Sequence, residues 1–377
     1  MNKAKKKVLV LTLQTFAAPG GIQRVNRVLS YTLALLSKKH SWKLAVYACH
    51  DRSNQRLNAY LDAASYEAFQ GNKVHFTFRS VLAGCRSDLV ILTHINLSVV
   101  ATIIRLLHPR CRIWLIAHGI EAWKPSTQGE KKRWKNFDRI LCVSKYTREK
   151  IICLHDLDPK RCIILNNTLD PFLQLPSSFE KPISMLQRYH ILPTDKVILT
   201  LARIASSEQF KGYDHVIHAL NAIRLQVPGL KYILAGPAEP LEQQRLEKLI
   251  LKLQLQEQVI LTGYIPETEL KHLFQVADVF VLPSKKEGFG IVFIEAMAHG
   301  IPVICGNEDG STDAVRDKKM GVAIPPDDNI ELQRAILGML QHPLTPEDRL
   351  SIQRKCLEHF NSSNYQNCIE ELILNDE

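Results

Sequence analysis

The chain has 377 residues, of which 46% are hydrophobic and 23% charged, as in a globular protein with two domains of ordinary size. Its apolar runs are too short for a membrane span, because the best candidate, residues 97–107, is interrupted by Arg105. The nine cysteines include no C-x-x-C pair, which argues against a zinc site or a disulfide scaffold and favours reduced thiols in a cytoplasmic protein.

Charge is distributed unevenly along the chain. Residues 1–170 contain 28 Lys and Arg against 11 Asp and Glu, whereas the remainder contains 20 against 27. A basic first half predicts contact with an anionic partner. The candidates are a membrane surface, a phosphorylated lipid carrier and nucleic acid.

The first strand pattern, KVLVLTL, is followed by Gly20, Gly21 and an apolar-periodic helix. In this order of strand, glycine loop and helix, the first backbone N–H groups of the helix can bind a phosphate or a sugar. The loop is neither a G-x-G-x-x-G fingerprint nor a Walker loop, so the use of NAD or ATP is poorly supported. We predict a ligand-binding loop here, with a plain tight turn as the alternative.

Short apolar runs alternate with helical patterns through the rest of the first half. The runs are KLAVYAC, VHFTF, DLVILTH, RIWLIAH, RILCVS and CIILN. This alternation predicts a parallel, doubly wound sheet that binds ligands at the carboxyl ends of its strands. His118 lies at such an end, although a histidine in this place is more often structural than catalytic.

Residues 121–137, EAWKPSTQGEKKRWKNF, are basic and aromatic. Five Lys and Arg fall between Lys124 and Lys135, with Trp123 and Trp134 among them. This pattern is typical of a membrane interface or of stacking on a sugar, and nucleic-acid binding would produce a similar one. A solvated loop and helix is the alternative.

A Pro- and Ser-rich stretch predicts a domain linker near residues 169–181, and a second series of strands and helices begins at KVILTLARI. Arg203 at the end of that strand and Lys211 in the following loop are a candidate clamp on a diphosphate. The planar fork of Arg engages two phosphate oxygens, and Lys supplies a point charge. Two unrelated surface cations are the alternative.

The stretch 283–302, PSKKEGFGIVFIEAMAHGIP, follows the strand pattern ADVFVLP. Its turn, Gly288-Phe289-Gly290, leads into a helical pattern, so the backbone N–H groups of Gly290 and Ile291 are predicted at a helix N-terminus that favours a phosphate.

Two carboxylates flank this turn. Glu287 lies just before it, in the loop, and is predicted to face a sugar. Glu295 lies about one turn inside the helix, and its side chain leans toward the N-terminal turn. There it can accept hydrogen bonds from a vicinal diol, as acidic residues do with ribose in dinucleotide-binding folds.

The segment EGFGIVFIE, within the wider pattern PS..EGFG...EAMA.G.PVI, resembles the two-glutamate signature of the retaining GT-B glycosyltransferases of family 4, or group 1. The resemblance implies an α/β fold with two Rossmann-like parallel-sheet domains facing a cleft. Residues 1–170 would bind the acceptor and residues 171–361 the nucleotide sugar. Residues 362–377 would form a helix that crosses back to the N-terminal domain.

The resemblance also assigns roles to the candidate residues. His118, in the strand-HG element, and Glu287 would act at the donor sugar. The donor-binding residues would be Gly20, Gly21, Arg203, Lys211, Gly288, Phe289, Gly290, Ile291 and Glu295. No metal or other cofactor is expected, and UDP, GDP and dTDP sugars all remain candidate donors. The segment NEDGSTDA departs from the glycine and glutamate pattern commoner in the family and is predicted to alter the mouth of the donor pocket.

The function expected from this resemblance is metal-independent, retaining transfer of a sugar to a saccharide or lipid-linked acceptor in cell-envelope polysaccharide or glycolipid synthesis. Such an enzyme would be cytoplasmic, with a peripheral contact between its basic first half and the inner face of an anionic membrane. Two alternatives stay open. One is another GT-B enzyme, a sugar-nucleotide epimerase or a phosphorylase, and the other is a non-catalytic protein that binds sugar nucleotides or, less favoured, nucleic acid.

Overall fold

The computed structural model describes residues 6–125, 127–316 and 320–375. The chain divides into two compact units, of which unit 1 comprises residues 1–171 and 361–377 and unit 2 comprises residues 172–360. The predicted boundaries, 170/171 and 361/362, each differ from these by one residue.

Within the described residues, unit 1 is built on a parallel sheet of seven strands in the order β3-β2-β1-β4-β5-β6-β7. The central strands are almost continuously apolar because helices cover both faces of the sheet. The strands are β1 Lys7–Thr12, β2 Lys43–Ala48, β3 Tyr66–Ala68, β4 Leu89–Leu92, β5 Arg112–Ala117, β6 Arg139–Cys142 and β7 Cys162–Ile164. The helices are α1 Gly21–His40, α2 Lys73–Gly84, α3 Ser98–Leu107, α4 Gln128–Trp134, α5 Lys145–His155 and the C-terminal α14 Ser362–Leu374.

One strand prediction was wrong. The run VHFTF lies in helix α2, and the edge strand is instead the short β3. The side chain of Asn72 accepts a hydrogen bond from the backbone N–H of His75 at 3.0 Å, which caps α2, and Phe76, Ser80 and Gly84 are buried at four-residue spacing. The alternation in this run is too short to outweigh the cap and the helical period that continues beyond it.

The C-terminal helix α14 packs on α1 of unit 1 and begins at the predicted residue, Ser362. Its Ile369 and Ile373 are buried, and the carboxylate of Glu370 lies 2.7 Å from the Lys39 ammonium. The Lys6 ammonium donates to the Ile373 carbonyl at 3.0 Å, which places a cation at the negative end of the helix dipole.

Unit 2 contains, within the described residues, a parallel sheet of six strands in the order β10-β9-β8-β11-β12-β13. The strands are β8 Lys196–Leu201, β9 Leu230–Ala235, β10 Val259–Gly263, β11 Val279–Leu282, β12 Val303–Gly306 and β13 Val322–Ile324. The helices are α6 Ile183–Arg188, α7 Tyr213–Ile223, α8 Pro240–Lys252, α9 Glu267–Val276, α10 Ile291–Ala298, α11 Ser311–Ala314, α12 Asn329–Gln341 and α13 Pro346–Phe360.

Strand order reverses in both sheets, between β1 and β4 in unit 1 and between β8 and β11 in unit 2. The loops leaving the carboxyl ends of such a strand pair diverge, which opens a crevice where doubly wound proteins bind ligands. None of the helices in the described ranges is both long and apolar enough to cross a membrane.

Candidate active-site residues

The loop after β11 leads into α10 through Gly290, which has a φ of +80° at the helix N-cap. A Cβ at this position would lie 2.4 Å from Cδ2 of Phe293, whose ring is fully buried, so glycine is needed here for both its backbone and its size. Helix α10 follows the loop at the carboxyl end of β11. Its first backbone N–H groups, from Ile291 onward, lie where the sequence predicts a phosphate.

Lys211 and Glu287 are brought together at the strand reversal of unit 2. Lys211 ends a short 3-10 helix after β8, Glu287 lies in the loop after β11, and the ammonium is 2.5 Å from the carboxylate. Each side chain is only 16% exposed. The two loops are themselves joined, because the backbone N–H of Lys285 donates to the carbonyl of Phe210 at 3.0 Å.

Desolvation acts to lower the pKa of Lys211, but the charge and the hydrogen bond of Glu287 outweigh it, so the pKa lies above its usual value. Lys211 is therefore a permanent cation at neutral pH. The Lys211 ammonium can exchange part of its pairing with Glu287 for a bound anion.

Arg203 is 58% exposed and donates to the Glu239 carboxylate at 2.9 Å. The carboxylate of Glu208 lies 3.6 Å from Arg203 and 3.9 Å from Lys211. The structure thus places both predicted cations around one carboxylate, on the loop that leaves β8.

Glu242, which was not predicted from the sequence, holds this loop through hydrogen bonds. Its buried carboxylate accepts from the hydroxyl of Tyr213 at 2.7 Å, from the Gln209 amide at 3.1 Å and from the Arg245 guanidinium at 2.7 Å. The Arg245 hydrogen bond is the main cause that lowers the pKa of Glu242 to about 2. No spacing rule connects Glu242, on α8, to the loop.

The NEDGSTDA segment anchors the backbone of Glu287. The buried carboxylate of Asp309 accepts from the backbone N–H of Glu287 at 2.7 Å and from that of Ser311 at 2.9 Å. The backbone N–H of Gly310 donates to the carbonyl of Glu287 at 2.8 Å. The departure from the family pattern therefore contributes a carboxylate that fixes the position of the candidate catalytic loop.

Asp309 is expected to make the unfolding free energy depend on pH. The pKa of this carboxyl is raised to about 7. Desolvation and, to a smaller extent, the charge of Glu287 raise the pKa, and together they outweigh the backbone hydrogen bonds that lower it. Because the folded state holds the proton more tightly, this contribution to stability is complete below about pH 4 and is lost as the pH rises through 7, with a slope of at most about 1.4 kcal/mol per pH unit.

At pH 4, where Asp309 is protonated, the variant Asp309→Asn should be less stable than the wild type by about 1–3 kcal/mol, since one of the two N–H groups loses its acceptor. It should also lack the pH-dependent contribution between pH 4 and 7. Urea unfolding of both proteins across that range measures the difference, and parallel curves for the two proteins would contradict the assignment.

Glu295 and Phe289 are both buried. Glu295 lies in the second turn of α10 and is 3% exposed, so a ribose could reach only a small part of its carboxylate. The ring of Phe289 packs against Phe360 with ring centroids 5.8 Å apart. The Phe289 side chain thus belongs to the core, and only its backbone is available to a donor.

His118 follows β5 in unit 1 and is nearly buried. Its Nε2 lies 3.0 Å from the carbonyl oxygen of Thr93. A carbonyl can only accept, so Nε2 carries the proton. Burial lowers the pKa of His118 to about 4, so the ring is neutral at pH 7 and its Nδ1 is a hydrogen-bond acceptor.

Glu121, which was also not predicted from the sequence, positions the His118 backbone. Its carboxylate accepts from the backbone N–H of His118 at 2.6 Å and from that of Gly119 at 3.2 Å. Burial raises the pKa of Glu121 and lowers that of His94, which lies after the adjacent strand β4. The charges of Glu121 and His94 influence each other, so both residues contribute to the electrostatic surroundings of His118.

The loop before Gly20 and Gly21 is held by Asp51, a third residue that the sequence analysis missed. Its buried carboxylate accepts from the backbone N–H groups of Thr15 and Phe16, at 3.0 and 2.8 Å. Gly21 begins α1, and a Cβ there would meet nothing within 4 Å. Gly20 has an extended φ, so neither glycine is required by backbone strain.

The aromatic residues of the basic stretch 121–137 do not form the predicted stacking surface. Trp123 and Trp134 belong to the core of unit 1, and Trp134 stacks on His155 with ring centroids 4.2 Å apart. Burial of apolar area decides the position of a Trp side chain more strongly than its charged neighbours in sequence. Ser126, in the middle of this stretch, lies outside the described residues.

Two doubly wound parallel sheets, each with polar groups at the carboxyl ends of its central strands, define an α/β protein of the GT-B class. Residues 185–355, which lie in unit 2, match the family model described as glycosyl transferases group 1. The predicted resemblance to glycosyl transferases group 1 and the predicted fold class are both confirmed.

Named relatives agree with this family. The D-inositol 3-phosphate glycosyltransferase of Mycobacterium marinum is 26% identical over 253 residues, which cover 66% of this chain and 51% of the relative. The GDP-mannose-dependent alpha-(1-6)-phosphatidylinositol monomannoside mannosyltransferase of Mycolicibacterium smegmatis is 32% identical over 220 residues, 55% of this chain and 54% of the relative. The chain thus aligns with about half the length of each.

A similar solved structure is Anabaena Alr3699/HepE in complex with UDP-glucose. It has a TM-score of 0.79 and 20% sequence identity, and the match covers 98% of this chain and 99% of that one. At this identity the likeness shows the fold alone.

Proposed function

We propose that this glycosyltransferase moves a sugar, with retention of anomeric configuration, from a nucleotide-sugar donor bound by unit 2 to a saccharide or lipid-linked acceptor bound by unit 1. The observation that carries the proposal is the buried Lys211–Glu287 pair beside the N-terminus of α10, at the strand reversal of unit 2. A cation and free amides suit the donor diphosphate, and a carboxylate suits the sugar hydroxyls.

The leaving group is a nucleoside diphosphate, whose negative charge grows as the bond to the sugar breaks. Lys211 and the first N–H groups of α10 would stabilise this charge without reorganisation, because they are fixed before the reaction, and Arg203 would add a second cation. We propose that these groups suffice without a metal ion. Among the described residues, no group of three His, Cys, Asp or Glu side chains is placed to hold one.

Retention is proposed to follow same-face attack. The acceptor hydroxyl oxygen forms a bond to the anomeric carbon as the bond from that carbon to the phosphate oxygen breaks, and the departing phosphate takes the hydroxyl proton. Glu287 would orient the sugar. Neutral His118 would do so too, through a hydrogen bond to its Nδ1. Glu295 would hold the ribose.

The names of relatives support the donor class. The M. smegmatis relative is named as GDP-mannose-dependent, and the Anabaena structure holds UDP-glucose. Those names leave the base open for this chain, and they set the choice of ligands for a test. Cell-envelope polysaccharide or glycolipid synthesis, in the cytoplasm or at the inner membrane face, is the setting that we propose.

The test is a thermal-shift panel of UDP, GDP, dTDP and ADP sugars against the wild type and Glu295→Gln. A ligand that binds only the folded state raises the melting temperature. At a concentration one hundred times its Kd, it adds about 2.7 kcal/mol to the free energy of unfolding. We expect one nucleotide class to stabilise the wild type and to stabilise Glu295→Gln much less, since the amide is a weaker acceptor for a diol.

Equal shifts in both proteins would remove the ribose role of Glu295. No shift with any nucleotide sugar would contradict the donor proposal. Release of an isomerised sugar without an acceptor would instead indicate an epimerase.

A further inference from the structure

Helix α2 carries apolar side chains on the face opposite its buried residues. Phe76, Ser80 and Gly84 are buried at four-residue spacing, whereas Val74, Phe78 and Leu82 lie two positions away from them and are exposed. Val74 is 82% and Phe78 is 66% exposed. Two residues correspond to about 200° on a helix, so these three side chains point away from the sheet. A surface helix normally has polar residues there.

Helix α3 repeats this arrangement. Val100, Ala101 and Ile104 are buried. Its exposed apolar residues are Val99, Leu106 and Leu107, and Leu106 is 76% exposed.

Helices α2 and α3 lie side by side on one face of the sheet of unit 1. Helix α2 lies in the connection from β3 to β4, and α3 lies in the connection from β4 to β5. Both connections advance in the same direction across the sheet. Right-handed crossovers place such helices on the same face of a sheet. They pack so closely that a Cβ at Gly84 would lie 2.3 Å from Cδ1 of Ile104. We call the exposed apolar residues of the two helices the α2–α3 surface.

Basic residues border the α2–α3 surface. Arg86 and Arg110 are exposed just beyond the ends of α2 and α3. Exposed Lys131, Lys132 and Arg133 lie on α4, which contacts α3. Residues 73–112 contain six Lys and Arg but a single acid, Asp88.

We infer that the α2–α3 surface is a docking site for an anionic lipid bilayer, with its apolar side chains inserted at the boundary between head groups and acyl chains. Protein surfaces that bind at the membrane interface combine exposed Phe and Leu side chains with Lys and Arg. Each basic residue near an anionic surface strengthens binding by about fivefold. Residues 121–137 thus contribute their cations to this surface, while their tryptophans remain in the core.

A second copy of the chain is a less favourable occupant. An isologous contact through this surface would bring the basic borders of two copies close together, which opposes association. Nucleic acid would use the cations but not the exposed Val, Phe and Leu side chains. Charge complementarity therefore favours anionic lipid.

The experiment is co-sedimentation of the full chain with vesicles of phosphatidylcholine alone or mixed equally with phosphatidylglycerol, at low and high salt. Wild type should bind the mixed vesicles at least about tenfold more tightly, with less binding at high salt. Phe78→Glu/Leu106→Glu and Lys131→Glu/Lys132→Glu should each lose at least about tenfold in affinity.

The matched control is Leu225→Glu/Leu241→Glu, which changes two exposed leucines of unit 2. It should bind vesicles as the wild type does. Because the changed side chains are exposed, all variants should have equal melting temperatures. That result would show that folding is unaffected.

Three results would overturn the inference. They are a wild type that ignores mixed vesicles, a Phe78→Glu/Leu106→Glu variant that binds them like wild type, and a dimer in sedimentation velocity that this variant dissociates while vesicle binding stays unchanged. Vesicle binding requires no donor, so nucleotide-sugar thermal shifts that persist in all variants would leave the proposed function standing if the inference failed.

Discussion

Replacing Lys211 with methionine is expected to lower kcat by about 10²- to 10³-fold, as the loss of one preorganised group that stabilises a developing anion does in other enzymes. Lys211 and Glu287 are in contact at 2.5 Å with little exposure. The same change leaves the Glu287 carboxylate without its cation, so the free energy of unfolding should fall by about 3 kcal/mol. Steady-state kinetics and urea unfolding measure the two effects.

The double variant Lys211→Met/Glu287→Gln separates these effects. It should regain much of the lost stability, because no unpaired charge remains, but it should stay as inactive as the single variant. Lys252→Met, which changes an exposed lysine at the end of α8, is the control and should alter stability by less than about 0.5 kcal/mol. A Lys211→Met enzyme with wild-type kcat would show that this cation does not act on the leaving group.

Local patterns were enough to predict the fold class and several neighbours in the site. Strands buried on both faces are almost continuously apolar, so β1, β8 and β11 were recognisable from sequence. Arg203 and Lys211 follow one strand of the reversal in unit 2, and Glu287 follows the other. The order of the strands then brings these residues together.

The residues that hold the site in place could not be predicted in this way. Asp309, Glu242 and Asp51 accept hydrogen bonds from backbone N–H groups or polar side chains of distant segments, whereas Glu121 accepts from the nearby backbone of His118. A hydrogen bond between distant segments leaves no periodic signal in the sequence. Composition also misled the prediction for Trp123. Its basic neighbours in sequence suggested a surface position, but its side chain is buried in the core.

Replacing Gly290 with alanine is expected to destabilise unit 2 by about 3 kcal/mol. A φ of +80° costs a residue with a Cβ about 1–2 kcal/mol, and the new methyl group would overlap the buried Phe293 ring at 2.4 Å. That ring packs edge-on against Phe280, with ring centroids 5.7 Å apart, so it cannot move aside cheaply. The start of α10 must shift instead, and nucleotide-sugar affinity should fall with it.

Gly338→Ala is the matched control, because it adds the same methyl group where it meets nothing within 4 Å, inside helix α12. It should stabilise the protein by about 0.5–1 kcal/mol through its better helix propensity. Urea unfolding gives both stabilities, and calorimetric titration with the nucleotide sugar found in the thermal-shift panel, at a temperature where both variants are folded, gives the affinities. If Gly290→Ala kept wild-type stability but lost affinity, the glycine would serve close approach of the donor rather than backbone geometry. If it kept both, the helix start would not be the phosphate site.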